Sequence, residues 1–237
     1  MHNLKMIYGR EMKMFFITPM AYIFLGVFVI VSGYFFTNAF FIIKQSDLRN
    51  LFDTISWIYI IFIPAITMGL IAKDNGSGTM EIMSTLPIKN YEYVLGKFLA
   101  ACSLIFVGLL LTSFHYFTLI NVGTNIDHGA IFSGYLGLML VGAMYAAIGI
   151  FFSSFTNNQV IALIASATLS FAFFLVGKIL IFIPSFLSPF FQYISIDFHF
   201  SNISRGVIDS RNIIYFGSLI WFFLTMTSQT IAKNRWS

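Results

Sequence analysis

Lys73, Asp74, Glu81, Lys89, Glu92 and Lys97 place six of the chain's 13 basic and nine acidic residues in one segment. The segment also holds Asn75-Gly76-Ser77-Gly78, a flexible turn by composition, and Pro87. These are the residues best equipped to act on something in water. Thr79 to Leu86 can form two helical turns, with Glu81 near the positive end of the helix dipole and Pro87 as the stop. Met80, Met83 and Leu86 recur at three-residue steps and give that helix one apolar face. Asn90 suits the N-cap of a helix running on through Gly96 and Lys97. The result is a short helix held crosswise between two spans, on which a soluble partner can push. The same residues also suit a solvated loop, and the pattern alone leaves both readings open.

Other reactive arrangements are missing from the sequence. The four histidines, His2, His115, His128 and His199, are isolated, and no His-Glu-x-x-His zinc helix or Gly-x-Ser-Gly nucleophile motif occurs. Gly96-Lys97 and Gly177-Lys178 lack the upstream glycine and following Ser or Thr of a phosphate-binding loop. No catalytic residue, bound cofactor or metal is therefore expected in this chain, and any nucleotide chemistry must come from another. All nine acids lie outside the long charge-free runs, so an intramembrane carboxylate relay is not expected. His115 is expected as a packed or hydrogen-bonded core residue, and Lys178 as a snorkelling side chain at the outer interface. Cys102 lies in an apolar run and has no second cysteine to pair with.

The elements that must position this segment are membrane helices. The 237 residues are 58% hydrophobic and only 9% charged, far below the ~25% charge of soluble domains. Mean hydropathy is +0.86. The net charge of +4 is spread over ends and loops, which speaks against a nucleic-acid partner. A span needs about 20 apolar residues. Charge-free runs at 14–43, 54–72, 98–126, 128–177 and 212–232 give six, since the fourth run holds two spans around the polar turn from Ser153 to Gln159. The expected fold is an all-α integral membrane protein, one domain over 1–237. Its spans fall near 20–43, 54–72, 98–120, 130–152, 159–181 and 213–231.

The run at 179–196 contains Pro184 and Pro189 and is expected as a short re-entrant or interfacial segment between spans five and six. Leu4, Ile7, Tyr8, Met12 and Phe15 form a helical stripe with Lys5, Arg10 and Lys13 off it, the pattern of an amphipathic surface helix. Thr18-Pro19 then turns the chain into the bilayer. With six spans, one side carries Lys5, Arg10, Lys13, Lys73, Lys89, Lys97, Lys233 and Arg235, and the other Lys44, Arg49, Arg205 and Arg211. The positive-inside rule places both termini and the 73–97 loop in the cytoplasm. The glycines and alanines of span four allow close packing, either within the chain or against another copy.

Gly78, Thr79, Glu81, Thr85, Pro87, Ile88, Gly96 and Lys97 resemble the cytoplasmic signature of type-2 ABC exporter permeases. Asp74 stands where that family usually has Glu, and Met83 where it often has Leu. Arg10-Glu11, Thr18-Pro19-Met20-Ala21-Tyr22 and Ser204 to Asp209 are most similar to the gliding-motility-associated branch. The resemblance implies a half-transporter in the bacterial inner membrane that pairs with a second permease copy. It implies separate ATPase subunits that bind ATP and Mg. Asp74, Gly78, Thr79, Glu81, Met83, Thr85, Pro87 and Lys97 would then form the coupling element. Arg10 and Glu11 on the surface helix would also touch the ATPase, and Pro184 and Pro189 would belong to the outer gate. The alternative is an ATP-independent carrier or channel, and after it a membrane enzyme or scaffold. The transported substrate is not legible.

Overall fold

The computed structural model describes residues 2–42, 47–80, 88–124, 126–184 and 186–234. Among these the chain is all-α, and six helices are long and apolar enough to cross a membrane. Helix α1 (His2–Ile17) precedes them. Thr18 is extended, and Pro19 opens α2 (Pro19–Thr37), which continues as a π-helical turn over Asn38–Ile42. Proline suits that first position because its fixed φ is already helical and its missing N–H has no partner to lose. The Thr18 hydroxyl donates back to the Met14 carbonyl at 2.9 Å, which fixes the elbow.

The second span is interrupted. Helix α3 (Arg49–Thr67) carries Pro64 inside it and gives way at Met68 to α4 (Gly69–Gly76). The break is held by Ser153: its hydroxyl accepts from the N–H groups of Ile71 (3.0 Å) and Ala72 (2.9 Å) and donates to the Met68 carbonyl (2.8 Å). One buried hydroxyl thus satisfies three backbone groups that hydrocarbon would leave stranded. Two expectations are corrected here. Ser153 and Ser154 are buried in the last turn of a helix rather than in the polar turn. Asn75 and Gly76 end α4, and the turn is confined to Ser77 and Gly78. Gly78 takes φ of 70°, a backbone state that other residues rarely adopt.

The third span is α5 (Asn90–Val122), with Lys89 rather than Asn90 in the capping position. Its 33 residues rise about 50 Å, against a hydrocarbon core of about 30 Å. Helices α6 (His128–Ser154) and α7 (Gln159–Ile179) form spans four and five. Short helices α8 (Ser188–Ile194) and α9 (Ile196–Ser204) lead to α10 (Ser210–Asn234), the sixth.

Helix α6 is the centre of the bundle. A Cβ on Gly134 would overlap the Phe52 ring, and one on Gly149 would overlap the Thr67 hydroxyl. On Gly142 it would meet Ile105 at 3.0 Å, and on Gly137 Ile203 at 3.1 Å. In a bilayer the lipid is as apolar as the side chains, so packing contact rather than water exclusion holds helices together. These glycines let α3, α5 and α9 close on α6. The small-residue stripe is filled by the chain's own side chains.

The end of the bundle that carries α1, the Ser77-Gly78 turn and the turn after Ser154 is the loop end. At the opposite end, Pro189 helps start α8 rather than breaking a helix, and Pro184 accepts turn bonds from Leu187 and Ser188. His199 is buried between Asn212 (2.7 Å) and the Tyr193 carbonyl (3.0 Å) and stacks on Tyr215. Lys178 pairs with Asp197 at 3.0 Å. His115 packs on Phe36, with ring centroids 4.7 Å apart.

Candidate functional site

At the loop end, four charges from three separate helices converge. Lys97 lies on the second turn of α5 and is 1% exposed. Its ammonium has three donors, and each finds an acceptor: Glu11 at 2.9 Å, Asp74 at 2.7 Å and the Leu70 carbonyl. Asp74, in the last turn of α4, also accepts from the Tyr93 hydroxyl at 2.6 Å and faces the Arg10 guanidinium at 3.3 Å. Glu11, on the buried face of α1, takes two bonds from Arg10, at 2.7 and 3.2 Å. Among the described residues, two cations therefore meet two anions. A buried charge is tolerable only when it is paired and hydrogen-bonded, and this cluster meets both conditions.

Each helix delivers its residues for a local reason. Ile7, Glu11 and Phe15 fall one turn apart and make the buried face of α1. Tyr93 and Lys97 are four apart on α5, and the ammonium lies 4.9 Å from the Tyr93 ring centre. Gly96 admits α1 to this depth, since a Cβ there would come within 2.8 Å of Ile7. Further contacts run the length of α1: Asn3 donates to Glu92 at 3.3 Å, and Tyr8 meets Ser103 at 3.0 Å. Glu92 also accepts the Lys89 N–H at 3.4 Å, closing the start of α5. Burial pulls the Arg10 guanidinium's pKa down, but the hydrogen bond and charge of Glu11, with the charge of Asp74, outweigh it and raise the pKa.

Asp74 and Lys97 thus sit behind the loop, joined to Arg10 and Glu11. Gly78 and Thr79 lie further out, where the Ser77 and Thr79 hydroxyls meet at 2.6 Å. Glu81, Met83, Thr85 and Pro87 lie outside the described residues. Pro184 and Pro189 lie at the opposite end, both exposed. Tyr93 and the Leu70 carbonyl are new members of the site. The spacing of Tyr93 from Lys97 was a usable signal; a backbone carbonyl leaves none. No three His, Cys, Asp or Glu among the described residues are placed to hold a metal ion.

Each charge of the cluster is paired with an opposite one. The cluster is a mechanical joint between α1, the end of span two and the start of span three, the two spans that flank the charged loop. The family model described as ABC-2 family transporter protein matches residues 3–212. The chain belongs to the ABC-2 transporter family. It is thereby an ABC transporter permease, the multi-pass membrane component of a system that normally works with an ATPase subunit. The matched stretch takes in every member of the cluster. No curated protein matches the chain significantly.

Proposed function

We propose that this ABC-2 permease is one half of an exporter in the bacterial inner membrane, with both termini in the cytoplasm, and that a second permease copy completes the path. A separate ATPase, which holds ATP and Mg, docks on the 73–97 segment, and the cluster carries its motion into spans two and three and into α1. The observation that carries this reading is the joint at the root of the loop in which buried Glu11, Asp74 and Lys97 meet the half-exposed Arg10, charge-balanced among the described residues. A push on the loop meets Asp74 on one flank and Lys97 on the other, so both spans and α1 respond together. The eight-to-four bias of basic residues supports the orientation. Resemblance around Arg10-Glu11 and Ser204 to Asp209 supports the gliding-motility-associated branch, and Pro184 and Pro189, at the end opposite the loop, would belong to the outer gate.

The test is recovery of the permease–ATPase complex from membranes expressing Glu81→Arg with Met83→Asp. Wild type retains a nucleotide-binding subunit and the variant loses it. Unchanged recovery, or ion-driven transport by the purified chain alone, rejects the reading.

A further inference from the structure

A groove of about 610 Å³ opens at the loop end between α2 and the joint of α3 with α4. That volume is in the range that holds a small organic ligand. Its walls are Ile23, Phe24 and Val27 of α2 and Phe62, Ala65 and Ile66 of α3. Ile23 and Val27 are well exposed, so the groove faces away from the bundle.

Its polar groups lie at one end. Glu11 reaches it, but its charge is met by Arg10 and Lys97. The Thr18 hydroxyl is spent on the Met14 carbonyl. Lys73 and Gln159 remain, and neither has a side-chain hydrogen bond or ion pair among the described residues. Gln159 lies over Gly69, whose Cβ would meet its side-chain oxygen at 3.1 Å. Ile61 and Phe62 also line a second groove of about 620 Å³ that continues along α3 to Asp53. Lys178 lines that end beside Asp53, but its ammonium is bound to Asp197 at 3.0 Å. The trough is therefore apolar through its middle, with Lys73 alone at the loop end and Asp53, Asp197 and Lys178, a net single negative charge, at the other.

We propose that this trough binds one anionic phospholipid, its phosphate at Lys73 and Gln159 and an acyl chain along Phe24, Val27, Phe62 and Ile66. Charge fixes the direction: the phosphate is drawn to the unpaired Lys73, whereas the Asp53 end is net negative because Asp197 already holds Lys178. In the topology proposed above, Lys73 lies at the cytoplasmic leaflet, where anionic lipid attracts basic side chains. The site needs no ATPase, so it stands or falls apart from the coupling reading.

The experiment is native mass spectrometry of the full-length protein in detergent with phosphatidylglycerol or phosphatidylcholine. Wild type is expected to retain phosphatidylglycerol at least fivefold over phosphatidylcholine. Lys73→Gln and the groove-filling Ala65→Trp should each abolish that preference, whereas Lys13→Gln, an exposed cation outside the groove, should keep it. If Ala65→Trp does not fold, Lys73→Gln against Lys13→Gln decides the matter. Equal loss in both lysine variants, or none in Lys73→Gln, overturns the proposal. So does an Ile61→Cys variant that cross-links to a second copy equally well with and without phosphatidylglycerol, because that would seat a permease in the trough.

Discussion

Replacing Lys97 by Met removes one charge and keeps most of the side-chain volume. Glu11 and Asp74, 4% and 8% exposed, would then share the Arg10 guanidinium alone, and the cluster would carry a net charge of −1. Breaking a buried pair from one side costs about 3–5 kcal/mol. Glu11→Gln leaves the opposite imbalance, with Lys97 and Arg10 facing Asp74. It should cost less, because Lys97 keeps Asp74 and the Leu70 carbonyl. The double variant restores balance, since Arg10 and Asp74 remain as a neutral pair with Tyr93 bound to the carboxylate. Its loss should fall short of the sum of the singles by about 2–3 kcal/mol, the upper range for residues in one network. The assay is reversible unfolding in mixed micelles titrated with a denaturing detergent. Additivity within ~0.5 kcal/mol would show that the two side chains do not share a cluster.

Gly149→Ala should destabilise by about 1–3 kcal/mol through overpacking against Thr67. Gly26→Ala, where nothing lies within 4 Å of the new Cβ, should stay within ~0.5 kcal/mol in the same unfolding assay. Ser153→Ala strands the N–H groups of Ile71 and Ala72 and should cost about 1–3 kcal/mol; faster amide exchange confined to Met68–Ala72 would locate the loss. Asp197→Asn breaks a pair whose side chains are 53% and 31% exposed, so its effect should stay below ~1 kcal/mol and shrink with salt.

The spans were legible because hydrocarbon demands long apolar runs, and Phe, Ile and Leu supply them in this chain. The span ends were not, because charge served as the ruler. Asp74 and Lys97 read as the borders of a loop, yet both lie inside helices, buried. Their neutralising partners stand 64 and 86 residues away on α1, and no local pattern announces such a pairing. Ser153 misled for a similar reason. A serine beside Ser154 and ahead of Asn157 and Asn158 looks like a turn until the interrupted helix it completes is in place. The stripe on α1 was visible, but Glu11 on its buried face was legible only once Lys97 lay opposite.

The most direct test of the cluster as a transmission point uses the double variant Glu11→Gln/Lys97→Met, in which charge balance keeps the fold and both substituted side chains are buried, so that no exposed residue of the docking segment changes. Reconstituted with its ATPase subunit, it should bind that subunit as wild type does. ATP hydrolysis stimulated by the permease should nonetheless fall at least fivefold, because Lys97 no longer ties span three to α1, and only the Tyr93–Asp74 hydrogen bond still links it to span two. Wild-type stimulation in a fully assembled double variant would contradict the account.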